Sequence, residues 1–137
     1  MSYGILLWGN AAGIKSIFDL QKRAIRAIYN LGPKESLRQK YKEINILIVA
    51  SQYIFENVMY IKKNFNNFAK IGDVHNINTR NRHHFGAPVT RLHRIRNSFM
   101  GQCVRFYNKI PENVRECECV KGYYQINDFV NANTSWE

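Results

Sequence analysis

His75, His83, His84 and His93 lie in one stretch with Asn76, Asn78 and Asn81, the residue types with which a metal-dependent nuclease cuts phosphodiesters. Such a site needs its ligands held by ordered strands and a helix, and the stretch around them carries neither period. These histidines therefore read as exposed loop residues that reinforce a basic surface. Cys117 and Cys119 form a C-x-C pair, a weak metal signal, and with Cys103 they leave an odd number of cysteines and no CxxC, so neither a disulfide framework nor a four-ligand zinc site is indicated. Three aspartates, Asp19, Asp73 and Asp128, stand far apart in sequence. Two-metal polymerase or nuclease chemistry needs carboxylates that hold two cations about 4 Å apart, and this chain offers no such pair. No GxSxG, HExxH or P-loop is present.

The residues that remain chemically suggestive are cations. The 137 residues carry a net charge of +10. Residues 1–110 hold 18 Lys/Arg against 5 Asp/Glu, whereas residues 111–137 hold 2 against 5. Within residues 74–110 there are seven Lys/Arg, all four histidines and no carboxylate. Positive potential concentrated in this way suits a polyanion. Nucleic acid is the leading partner class, although a ribosomal or anionic-lipid surface would draw on a similar composition.

The elements that must position these cations can be read from periodicity. SYGILLWG, residues 2–9, reads as the end of an apolar helix that begins upstream. It has no basic region before it and no small-residue cleavage site behind it, and no stretch approaches 18 apolar residues. A chain that is intracellular, nuclear or cytoplasmic, and neither secreted nor membrane-spanning, is expected. Residues 14–31 form an amphipathic helix. At 100° per residue Ile14, Ile17, Phe18, Leu20, Ala24, Ile25, Ala27, Ile28, Tyr29 and Leu31 fill an arc of roughly 200°. Lys15, Asp19, Lys22, Arg23 and Arg26 fall in the gap. So wide an arc predicts packing against two neighbours, with only the basic edge outside, and a stop at Gly32-Pro33.

Ser36 is positioned to cap SLRQKYKEI, where Arg38, Lys40 and Lys42 add base, and Asn45 ends it. From Ile46 to Lys63, apolar residues at spacings of three and four predict a helix of about five turns. Residues 64–88, rich in Asn and Gly, predict a long surface loop carrying Arg80 and Arg82. VTRLHRIRN, with Arg91, Arg94 and Arg96, reads as partly extended. Phe99, Cys103, Phe106 and Ile110 mark a further amphipathic helix stopped at Pro111, with Arg105 and Lys109 off its apolar stripe. The tail carries a short helix around residues 126–131 and the aromatics Tyr123, Tyr124, Phe129 and Trp136. The fold class is mostly α: a small helical bundle, a long loop, a further helix and an irregular aromatic tail. Three segments follow, a helical region 1–63, a basic His/Asn/Arg-rich loop 64–96, and a C-terminal helix and tail 97–137.

The ordered series YGILLWG, IFDLQKRAIRAIYNL, NILIVASQYIFENVMYI, HNINTRN, YNKIPENV and KGYYQINDF, followed by Trp136, resembles the C-terminal end of insect non-LTR retrotransposon reverse transcriptases of the jockey-like kind. The resemblance spans nearly the whole chain. It implies that residues 1–63 correspond to the helical thumb and the region after the palm. The catalytic aspartates, their Mg²⁺ and any endonuclease would then belong upstream of Met1. No cofactor is expected here. A thumb grips a template–primer duplex by its backbone through cationic helix faces. The resemblance thus implies phosphate contacts for the basic residues already named and no catalysis by this piece. Its partners would be RNA, DNA or their hybrid, together with the upstream polymerase region. No membrane and no small-molecule substrate are expected. One departure stands out: only RECECV separates YNKIPENV from KGYYQINDF, where the family carries a longer helical stretch, and a deletion in a decaying copy would explain it. A host-adopted basic nucleic-acid-binding module and a non-functional translated relic are the rival readings.

Overall fold

A computed structural model describes residues 4–75, 78–87 and 90–115. The expected tail helix, the aromatic tail cluster and the Cys117/Cys119 pair lie outside the described residues, as do the side chains of Asn113 and Val114. The described chain is mostly helical and builds a small bundle. Its helices are α1 (Ile5–Trp8), α2 (Ile14–Tyr29), α3 (Arg38–Ile44), α4 (Val49–Lys63), α5 (Ile71–Val74), α6 (His93–Arg96), α7 (Phe99–Lys109) and α8 (Glu112–Arg115).

Helix α4 is the centre, because its apolar residues occupy more than one face. Phe55, Val58 and Ile61 pack with Leu47, Phe85, Cys103, Val104, Tyr107 and Ile110, which fastens α7 along α4. Val49 and Tyr53 turn the other way and enclose Ile5 of α1. Gly9 lies so close to the Tyr53 ring and to Ile5 O that a Cβ would collide with both. A third cluster, Ile25, Leu37 and Tyr41, ties α2 to α3. The periodicity predicts α4 from Ile46, but Ile48 is extended (φ −62°, ψ 145°) and the helix begins at Val49. Gln21 of α2 supplies the missing cap: its Oε1 accepts from Val49 N at 3.1 Å while its Nε2 donates to Leu47 O at 2.9 Å.

Helix ends also depart from the simplest signals. α2 stops at Asn30, which is left-handed at φ 50°, two residues before Gly32. Asn45 ends α3 in the same way at φ 56°, as expected. Asparagine tolerates that region better than most residues because its short polar side chain can bond locally. Ser36 does not cap α3; Leu37 precedes the helix and is itself buried.

The described residues between 64 and 87 form a surface connection with more internal structure than their composition predicts. A 3₁₀ turn (Phe65–Asn67) and α5 are followed by a return that pairs Lys70 with Phe85. Ile71 N donates to His84 O and Gly72 N to Arg82 O, both at 2.9 Å. Phe85 is 2 % exposed and is clamped to α7, since Asn108 Oδ1 accepts from Phe85 N at 3.1 Å and Asn108 Nδ2 donates to Phe85 O at 3.0 Å. The segment read as extended instead contains the single turn α6. Its C-terminal carbonyls approach α7 at Gly101, where a Cβ would sit 2.5 Å from Arg96 O. Cys103 on α7 and Ile110 just after it are enclosed, and Arg105 and Lys109 are exposed, as the apolar stripe predicts.

The core contains a buried polar pair. Asn57 and Cys103 are both fully enclosed; the thiol donates to Asn57 Oδ1 at 2.9 Å, and Asn57 Nδ2 donates to Tyr53 O at 2.6 Å. Burial pushes the Cys103 thiol up to about 12. The thiolate is the reactive form, so Cys103 should be inert toward maleimide at pH 8 in the native fold. In a Cys117→Ser/Cys119→Ser chain, labelling followed by mass spectrometry should be negligible without denaturant and complete with it. Prompt native labelling would contradict this packing. The sign of the pH effect follows: a thiol whose folded value is raised adds stability below its ordinary range, and that contribution is lost as pH rises toward about 12.

Candidate nucleic-acid interface

The cations of α2 are not equivalent. Lys15 and Arg23 are exposed. Lys22 bonds Asp19 at 2.8 Å and lies 4.3 Å from the Phe18 ring centre, so its stem and charge are held down on the helix. Asp19 is the fixed anion of the strip. The hydrogen bond from Lys22, with the charges of Lys22, Lys15 and Arg23 beside it, holds its carboxyl below the ordinary value against partial desolvation. Asp19 falls in the same charged strip of the helical wheel. The i,i+3 spacing to Lys22 is the signal that reveals the pair.

Arg26 has a different role from the rest of the strip. Its Nη2 donates to Glu35 O at 3.4 Å, and its Nε is enclosed without an acceptor. The guanidinium lies close enough to Tyr41 to oppose the upward push that burial gives that phenol. Arg26 therefore fastens α2 to the connection before α3, and offers less charge to a ligand than its place on the helical wheel suggests.

The outward side of α2 is a second finding. Ile25 is 5 % exposed, but Leu20 is 57 % and Ile28 73 % exposed, and Ala24 and Ala27 are exposed beside them. The arc of roughly 200° is thus split: one half meets α4 and α3, and the other half faces outward.

On α3, Arg38 and Lys42 are exposed. Lys40 bonds Glu43 at 2.9 Å, which raises its affinity for the proton, and lies 4.7 Å from the ring centre of Tyr29. Arg80 and Arg82 are exposed on the surface connection, where Arg82 Nη1 donates to Asn78 Oδ1 at 3.2 Å. Arg91, Arg94 and Arg96 are exposed at α6, and Arg105 and Lys109 occupy the outer side of α7 one turn apart. The structure gathers Lys15, Lys22 and Arg23 around Asp19 and leaves the other cations on separate elements. Groups so dispersed can neutralise phosphates along a backbone, and they lack the convergent donors and acceptors that read base edges. Among the described residues no group of His, Cys, Asp and Glu is arranged to hold a metal ion.

No family model, curated protein or solved structure matches this chain.

Proposed function

We propose that this chain binds the phosphate backbone of nucleic acid with little sequence preference, as the thumb-like and post-polymerase part of a jockey-like retrotransposon RNA-directed DNA polymerase. Synthesis itself would belong to a palm that this sequence does not contain, and with it the Mg²⁺. The observation that carries the reading is the outward basic strip of α2, where Lys15 and Arg23 stand exposed on a helix anchored through Ile25 and Gln21. Arg105 and Lys109 on α7 add a similar exposed pair.

Asp19 supplies the test. It sits among Lys15, Lys22 and Arg23 and repels any phosphate that approaches them. Asp19→Asn should therefore tighten binding by about threefold to tenfold at low salt, and the gain should shrink as added salt screens the strip. The assay is fluorescence anisotropy with two unrelated duplexes of equal length, whose affinities should agree. Unchanged or weaker binding by Asp19→Asn would remove α2 from the interface.

A further inference from the structure

The surface around α6 has a feature that backbone binding leaves unused. Residues 91–96, RLHRIR, are exposed at every position. Leu92 is 63 % and Ile95 40 % exposed, and their spacing of three puts them on one side of the turn. Leu7 of α1, 80 % exposed, lies on the side of the turn formed by His93, Arg94 and Asn97. It lines an open depression together with Asn10, Ala11, His93, Arg94 and Asn97. Asn10 Nδ2 donates to Asn97 O at 3.0 Å, which fastens α1 to the end of α6. Arg91, Arg94 and Arg96 interleave with Leu92 and Ile95 along the chain, in a stretch with no carboxylate from residue 74 to 110.

Single-stranded nucleic acid takes aromatic rings or guanidinium planes on which bases stack, and duplex backbones take cations alone. Leucine and isoleucine offer neither. Protruding aliphatic side chains interleaved with arginine are complementary to a bilayer interface that carries negative headgroups. The arginines meet lipid phosphates, and the aliphatic groups leave water for the headgroup–acyl boundary. We infer that the α6 surface docks on an anionic bilayer, with Leu92 and Ile95 entering the interface and the neighbouring Arg91, Arg94 and Arg96 on the headgroups. No single described helix is long and apolar enough to span a membrane. This partner is one that the sequence reading set aside, and its case is independent of nucleic-acid binding.

The test uses the full chain and sedimentation with vesicles of phosphatidylcholine, with and without about one-third phosphatidylserine. Binding should appear on the anionic vesicles and be at least about tenfold weaker on the neutral ones. Leu92→Ser/Ile95→Ser should reduce vesicle binding about tenfold or more, while duplex affinity and the thermal midpoint stay unchanged. Arg91→Gln/Arg94→Gln/Arg96→Gln should lose the anionic vesicles as well. Failure to bind anionic vesicles at low salt would overturn the proposal. So would a serine pair that binds vesicles like the parent, because attraction would then be charge alone, as on a nucleic-acid surface. A serine pair that weakens duplex binding in parallel would also overturn it.

Discussion

Ile61→Ala is expected to cost about 2–5 kcal/mol, the range for truncating a fully buried isoleucine whose cavity cannot collapse. Ile61 is 0 % exposed and lies in the cluster that joins α4 to α7, so neighbours on both helices would lose contacts. A small domain has only about 5–15 kcal/mol in total. The variant should therefore melt well below the parent in thermal unfolding followed by circular dichroism. The same assay discriminates the two sides of α2. Ile25→Ala should be costly because Ile25 is 5 % exposed against Leu37 and Tyr41. Ile28→Ala, at a position 73 % exposed, should change stability by less than about 0.5 kcal/mol. Equal losses at Ile25 and Ile28 would contradict the packing of α2 described above.

Lys15→Glu with Arg23→Glu should abolish most binding and leave the fold alone. Both side chains are exposed, and exposed charge changes usually move stability by less than about 0.5 kcal/mol each. Two attractive contacts become repulsive, so affinity should fall about 100-fold or more at low salt, and the salt slope should flatten by about two units. Lys22→Glu/Arg26→Glu, the pair that the helical wheel alone recommends, is the poorer test. It breaks the Lys22–Asp19 ion pair and the Arg26 link to Glu35, so lost binding could report a loosened α2. Parent-like binding by the Lys15/Arg23 variant would reduce the strip to a solvated face.

Periodicity sufficed where burial is one-sided and local. Cys103 on α7 and Ile110 just after it, with Arg105 and Lys109 outside, follow from spacing because one neighbour, α4, covers one stripe. The helical class and the stop at Asn45 were legible for the same local reasons. Pattern could not tell which half of the α2 arc is covered, because that depends on where α3 and α4 arrive. It could not place Phe85 in the core either. Its neighbours read as loop, and the clamp comes from Asn108, 23 residues away. The start of α4 was hidden likewise, since its cap is the distant side chain of Gln21. At the interface, residue type disclosed which groups are cationic. Whether a cation is exposed, like Arg23, or committed to its own protein, like Arg26, was decided by tertiary contacts.

Backbone binding is tested most directly by titrating the affinity of the unmodified full chain for a short duplex against salt. If about five phosphates are neutralised, log K should fall linearly with log salt at a slope of roughly −4 to −5, with the same slope on an unrelated sequence. A slope near zero, or a strong preference for one sequence that persists at high salt, would contradict it.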